Sequence, residues 1–255
     1  MIRSVLAIAT LAFAASCSLP TCEAKKVVDV EVSAAGLRTI DCESRNGGIR
    51  IVGDPACTMV ALRADVRIRA FTDEEAAAAL ARMSVTHEVV DGRLVVRGVS
   101  PEPLGGMIPS FEFALVVPPA VAARLGSHNG SLDVRGVDGD MQLETHNGGI
   151  SVLSRTHRVD ATTHNGNVTI RRDGDGALGG NVESQNGAIT VEVGPDVHTT
   201  VDASTHNGRL AWPADALDVR RDGSTFSCRL GDGAGKLGIV THNGDVTIRR
   251  TAKKN

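Results

Sequence analysis

Five histidines recur in one setting. His128, His146, His164, His206 and His242 each stand directly before an Asn-Gly pair. Imidazole is the commonest protein ligand for transition metals, and several at regular spacing could share an ion such as Zn²⁺. If the copies stack, the first three would place their β-carbons about 5 Å apart. Two further copies hold Arg45 and Gln185 at the same place. A tolerant, duplicated turn entry therefore explains the column as well as a ligand set does. No metal or cofactor is assigned, and the five histidines stand as low-ranking ligand-binding candidates.

Other chemistry is thinner still. The acidic corner Asp173-Gly174-Asp175-Gly176 has calcium-loop composition, but Ser184 stands where an EF-hand needs its Glu. Ordinary turn chemistry accounts for these residues. No Ser-His-Asp or Cys-His signature appears. The positions two and four after each Asn carry mostly small neutral side chains, such as Gly149, Ser151, Ala188 and Thr190. Carbohydrate-cleaving sites need converging carboxylates, so no catalytic residues are assigned and no enzymatic activity is expected. Cys42 and Cys57 flank the first Asn-Gly copy and could close a small loop as a disulfide in an oxidising compartment, or remain free thiols. Cys228 lies in the alternation Phe226, Cys228, Leu230 and reads as a small core residue. Net charge is −3, which implies no nucleic acid or other polyanion partner.

The elements that must position these residues come from one repeat. Asn46-Gly47, Asn129-Gly130, Asn147-Gly148, Asn165-Gly166, Asn186-Gly187, Asn207-Gly208 and Asn243-Gly244 are its copies. Spacings of 18, 18, 21 and 21 run from Asn129 to Asn207, and the last interval, 36, reads as two periods with one copy worn away. A fixed period near 20 signals stacked units. Two before each Asn stands Ser or Thr: Ser44, Ser127, Thr145, Thr163, Ser184, Thr205, Thr241. Three and five after it come apolar pairs such as Ile150/Val152 and Val168/Ile170. Alternation with period two predicts strands with these residues buried. Asn-Gly supplies the positive φ of a tight turn.

Two all-β architectures fit. One is a parallel β-solenoid of roughly 18–21-residue coils. The other is an antiparallel meander with Asn-Gly hairpins. Identity within columns favours the solenoid, because like residues gain by stacking on like. The absence of Tyr and an aromatic content of 2% suit a thin coil interior.

Along the chain, residues 1–24 read as an export signal: Arg3, then an apolar run from Val5 to Ala15. Ala14-Ala15-Ser16-Cys17 has lipobox character, making Cys17 a lipidation candidate; ordinary cleavage is the alternative. Residues 25–119 form a β-rich segment with the first coils and a cap. Within it Thr72-Asp73-Glu74-Glu75 opens a helix over 73–83 as a capping box, and Asp91-Gly92 joins strands Ser84–Val90 and Arg93–Val99. Residues 120–255 are the regular coils, ending in a basic tail that blocks further strand pairing.

Three features together resemble a known family. They are the repeated Asn-Gly-x-Ile/Val-x-Val, the Thr-Asp-Glu-Glu-Ala-Ala helix after a strand (72–77), and the Phe-Glu-Phe-Ala-Leu-Val-Val-Pro strand (111–118) before the coils. The chain resembles, over roughly residues 27–248, the bacterial β-strand-repeat family of unknown function often labelled "putative adhesin". The resemblance implies a right-handed, pectin-lyase-like β-helix on exported or membrane-anchored proteins, and carries over no catalytic residues. The expected function is a non-enzymatic envelope module, structural or adhesin-like. Its partner would be an unknown envelope or surface ligand, with a membrane contact through the lipid anchor. The expected location is an outer-membrane or periplasmic lipoprotein, with secretion as the alternative. Competing readings are a metal-binding protein using the His column and a polysaccharide-acting β-helix enzyme.

Overall fold

The structure is a computed structural model that describes residues 20–100, 102 and 105–251. Residues 1–19, which hold Cys17 and most of the expected export signal, and residues 252–255 lie outside the described residues. The N-terminal segment contains β1 (Cys22–Ser33), β2 (Thr39–Asn46), β3 (Ile49–Gly53), β4 (Met59–Ala70), α1 (Asp73–Arg82), β5 (Ser84–Val90), β6 (Arg93–Val99) and β7 (Ile108–Val117). The repeats follow as pairs: β8 (Ala122–Asn129) with β9 (Leu132–Arg135), β10 (Met141–Asn147) with β11 (Ile150–Ser154), and β12 (Val159–Asn165) with β13 (Val168–Arg172). After the short β14 (Gly176–Ala177) come β15 (Gly180–Asn186) with β16 (Ile189–Val193), then β17 (Val197–Asn207) with β18 (Leu210–Ala211). The chain closes with β19 (Leu217–Asp222), β20 (Thr225–Leu230), β21 (Gly235–Asn243) and β22 (Val246–Arg250).

The strands form two large mixed sheets, one of ten strands and one of twelve. Within the repeats every pairing between units is parallel, and the register sets like on like: Thr145 beside Thr163, Asn147 beside Asn165, Ile150 beside Val168. Antiparallel pairs lie at the two ends. There β1 pairs β4, β4 pairs β7 and β5 pairs β6, while β20 pairs both β17 and β19. The alternation read from the sequence holds. Ile49, Ile51, Leu132, Val134, Ile150, Val152, Val168 and Ile170 are buried, facing Ile40, Leu125, Leu143 and Ala161 of the other sheet. Each large aliphatic side chain so buried stabilises the fold by about 1.5–3 kcal/mol.

The N-terminal segment follows its sequence signals. Thr72 caps α1, its Oγ1 accepting the Glu75 N–H at 3.1 Å. The helix lays Ala76 and Ala79 into the core beside β1 and β4. Its last carbonyls are met by a cation, since Lys26 Nζ donates to Leu80 O at 2.9 Å and Met83 O at 2.6 Å. The Asp91-Gly92 hairpin forms with both residues at positive φ, 52° and 74°.

Three expectations need correction. First, the Asn-Gly pairs are not hairpins. The strands on either side of each pair belong to different sheets, so the pair is a corner. Nor is positive φ the reason for glycine there. Gly47 has it, but the other corner glycines and all the corner asparagines do not. The reason is close approach. A Cβ on Gly148 would overlap the Gly130 carbonyl oxygen, and the same holds for Gly166 over Gly148 and for Gly187 over Gly166.

Second, the 36-residue interval before Asn243 is not two coils. Residues beyond β18 turn back through the β19–β20 hairpin, and the final pair β21–β22 inserts between the β15–β16 unit and the β17–β18 unit. The chain must then cross the start of β17 within residues 231–234. Gly231-Asp232-Gly233 makes the crossing, with φ of 62° and 78° at the two glycines and the Asp232 N–H donated to His198 Nδ1 at 3.1 Å. A mirror-image device operates at the other end, where β2–β3 lies inside the later β6 and β7.

Third, Cys42 and Cys57 are free thiols. Cys42 points into the core from β2, whereas Cys57 sits in the turn before β4 with its Sγ donating to Met59 O at 3.1 Å. Burial pushes the Cys42 thiol far up from its ordinary value.

Candidate binding groove

The repeat builds three ladders along each Asn-Gly corner. Innermost are the hydroxyls. Thr145 Oγ1 donates to Gly130 O at 2.9 Å, Thr163 to Gly148 O at 2.9 Å and Ser184 to Gly166 O at 3.0 Å. The inserted unit keeps the rule: Thr241 donates to Gly187 O at 2.9 Å and Thr205 to Gly244 O at 2.8 Å. The asparagines form the second ladder. Each Nδ2 donates to the Oδ1 of the Asn on the unit before it, from Asn129 onto Asn46 to Asn207 onto Asn243, over 2.7–2.9 Å.

The histidines form the third ladder, on the outer face of the twelve-stranded sheet. His128, His146 and His164 stack with ring centroids 4.9 and 4.6 Å apart and planes within 8° of parallel. His242 and His206 stack at 4.8 Å. Gln185, on the unit between His164 and His242, divides the five into a group of three and a group of two. The structure thus brings all five candidate histidines into one line. It does not aim them at one point. Tetrahedral zinc at about 2.05 Å from each nitrogen needs ligand nitrogens about 3.4 Å apart. Parallel rings 4.6–4.9 Å apart keep equivalent nitrogens farther apart than that. Among the described residues no three His, Cys, Asp or Glu side chains gather as a metal site.

Beside the histidines runs a groove of about 1070 Å³. One flank is the imidazole column. The floor is the outward position two residues earlier, which carries Glu43, Gly126, Glu144, Thr162, Glu183, Val240 and Ser204 in spatial order. Gly126, Thr162 and Ser204 leave the floor low beside the column, with glutamates between them. Glu43 is already engaged by Arg97 at 3.1 Å. Glu144 and Glu183 alternate along the groove with neutral neighbours.

The acidic corner is occupied from within. Arg172, 1% exposed, turns its guanidinium under residues 173–176. Its Nε donates to Thr156 O at 3.0 Å and one terminal nitrogen donates to Asp175 O. Burial lowers its pKa, opposed by the nearby Asp175 carboxylate. The corner is thus tied from beneath by a guanidinium bonded to backbone carbonyls.

Sequence reasoning missed a second depression, of about 800 Å³, at the C-terminal end of the same face. It shares Ser204 and Val240 with the histidine groove. Its cations come from three places in the chain: Arg158 before β12, Arg220 and Arg221 on β19, and Lys236 on β21. Only the inserted position of β21 and the return of the β19–β20 hairpin bring them together, and no spacing in the sequence signals that.

No protein-family profile matches the chain, and no curated protein matches it. Among solved structures it is similar in fold to a "putative cell adhesion protein" from Clostridium sporogenes, with a TM-score of 0.54 and 12% identity over 89% of this chain and 100% of that one. A "putative adhesin" from Bacteroides fragilis aligns with a TM-score of 0.30 and 12% identity, covering 92% of this chain and 100% of that one. A "putative lipid binding protein" from Parabacteroides distasonis aligns with a TM-score of 0.35 and 10% identity, covering 89% and 97%. Identities this low speak to fold alone. The names of these bacterial neighbours include the adhesin label that the sequence resemblance carries. Among the described residues no helix is long and apolar enough to cross a membrane.

Proposed function

We propose that this chain is a non-enzymatic, exported β-solenoid of the bacterial envelope, right-handed and anchored through Cys17, which acts as an adhesin-like binding module. The parallel like-on-like register of the repeats supports the solenoid. The groove on the twelve-stranded sheet carries the binding reading. It spans seven stacked strands and repeats its wall at every strand spacing, about 4.8 Å. A lining that repeats along a line suits an extended ligand, such as a surface polymer, better than a compact metabolite. Its walls are polar and stiffened by the Asn and Thr ladders, so little ordering is lost on binding.

Thr162 is exposed on the groove floor. Thr162→Trp would fill the groove without touching the core. Binding of the purified chain to envelope fractions and glycan arrays should fall at least tenfold in this variant. Equal binding by both proteins, or no binding by either, would sink the groove reading. The anchor is tested separately: Cys17→Ser should move the protein from the membrane fraction to the soluble one.

A further inference from the structure

We infer that the free edge of β1 docks a second copy of this chain. The two β1 strands pair antiparallel about a two-fold axis, with Val28 beside Val28 of the second copy. This goes beyond the binding reading above and does not depend on it.

The two large sheets end in four edge strands, and they differ. β18 has two residues, β5 has seven, and β19 breaks register between Leu217 and Arg220, with Asp218 at a φ of 51°. Short or bulged edges resist pairing with another chain. β1 is the longest of the four, at twelve residues, and carries no proline. It pairs with β4 in unbroken register, from Cys22 beside Ala70 to Ser33 beside Met59. Nothing among the described residues pairs with its other side. Ala34 N–H donates to Thr58 O at 3.0 Å where that register continues. By alternation, Glu23, Lys25, Val27, Asp29, Glu31 and Ser33 turn their backbone N–H and C=O groups to the free edge. The inward residues Ala24, Val28, Val30 and Val32 are only half-buried, because no further strand continues the sheet over the core margin.

Charge selects both the partner and the register. On β1, Glu23 pairs with Arg69 at 3.4 Å, Asp29 with Arg63 at 3.8 Å, and Lys26 is held by the α1 carbonyls. Lys25 and Glu31 are exposed and form no ion pair among the described residues. On its β4 side Lys25 stands beside another cation, Arg67. A two-fold pairing centred on Val28 sets Lys25 beside Glu31 of the second copy, and does so twice. It also sets Val27 beside Asp29 and Glu23 beside Ser33, so every free-edge residue meets another free-edge residue. On the inner face Val28 meets Val28, Val32 meets Ala24, and Val30 meets the aliphatic stem of Lys26. Neighbouring registers bring like charges together, which destabilises a pair. Centring on Val27 puts Glu23 beside Glu31, and centring on Lys26 puts Glu23 beside Asp29. Centring on Asp29 sets that carboxylate on itself, and centring on Val30 puts Asp29 beside Glu31. A surface self-complementary in one register fits a second copy of the same chain. The two-fold axis stands normal to the sheet, so the histidine grooves of both copies open on the same side, and an extended ligand meets the groove twice.

The test measures the dimer dissociation constant of the full mature chain by sedimentation equilibrium in reductant, with Cys17→Ser to keep the chain in solution. This parent should form a closed dimer at micromolar concentration. Lys25→Glu and Glu31→Lys each turn two attractions per dimer into two repulsions and should each weaken it about tenfold. Both residues are exposed, so neither change disturbs the core. The double variant Lys25→Glu/Glu31→Lys makes every pair opposite in sign again and should return the constant close to the parent's. Cysteine linkage reads the register. In the parent with Cys22→Ser and Cys57→Ser added, Val28→Cys should oxidise to a linked dimer, because its two copies would lie about 4.5 Å apart at Cα. Val30→Cys, with its copies about 14 Å apart along the paired strands, should not. A parent that stays monomeric would leave the edge to some other partner and overturn the inference. So would open-ended oligomers, a constant unmoved by the single reversals, no recovery in the double variant, or equal linkage through Val30→Cys.

Discussion

Replacing Thr145 separates the two halves of its side chain. Thr145 is 2% exposed, its hydroxyl bonded to Gly130 O at 2.9 Å and its methyl in the coil interior. Thr145→Val keeps the volume and deletes the donor. The Gly130 carbonyl then loses its partner from the next unit, which costs about 1–3 kcal/mol. Thr145→Ser keeps the donor and deletes a methyl, costing about 0.8 kcal/mol. The protein already uses serine in this column: Ser127 and Ser184 donate to a corner glycine carbonyl as Thr145 does, and Ser44 donates to Phe111 O. Thr145→Asp adds an unpaired buried charge and costs several kcal/mol.

The expected order of stability is therefore wild type, Ser, Val, Asp. Urea unfolding followed by circular dichroism reads it as shifts in midpoint at constant slope. The informative comparison is Val against Ser. A valine variant as stable as wild type, with serine clearly weaker, would show that the methyl and not the hydroxyl ladder holds the corner. Sequence reasoning alone would favour that outcome, since burial of the column was legible and the carbonyl partners were not.

Gly166→Ala should destabilise by at least about 1–3 kcal/mol, because its Cβ would overlap the Gly148 carbonyl; Gly149→Ala should be mild, since Ala188 fills that position two corners along, and thermal melting compares the two. Asn147→Ala removes two ladder bonds of 2.8 Å and should cost about 1–3 kcal/mol in urea unfolding. His146→Gln should stay within about 0.5 kcal/mol, and micromolar zinc should leave the melting temperature of both proteins unchanged; a His146-dependent rise would refute the stacking account. Burial pushes the Cys228 thiol up to about 11. Between pH 9 and 11 the unfolded chain loses that proton while the folded chain keeps it, so stability should fall with rising pH, and Cys228→Val should flatten the fall.

The columns were legible because they depend on period alone. Ile150 and Val152 alternate with polar neighbours, and two-residue periodicity says which face is buried whatever the sheet order. The histidine line was legible for the same reason. Two things were not. The need for glycine at residues 148, 166 and 187 looks like a turn requirement in sequence and is in fact a packing requirement between units, which appears only once the Gly carbonyl of the neighbouring unit is in place. The spatial order of units was hidden as well. Periodicity records that Asn243 belongs to the column but carries no information on which neighbours it joins, since Asn186 and Asn207 present the same ladder.

That ambiguity follows from the repeat and has a consequence for function. Identical ladders make every unit an acceptable neighbour for every other, so the repeat itself does not specify where the last coil docks. The specification comes from what is not repeated. The β19–β20 hairpin pairs antiparallel with β17 and uses up its outer edge, from Thr199 beside Leu230 to Ser204 beside Thr225. The Gly231-Asp232-Gly233 crossing, pinned at His198, then delivers β21 to the other edge of β17. The same hairpin carries Arg220 and Arg221, and the same insertion places Gly238 and Lys236 opposite them. The non-repeating segment thus fixes the order of the units and, in doing so, shapes the second depression on this face. A chain that kept only the repeat would still stack and would lose that depression.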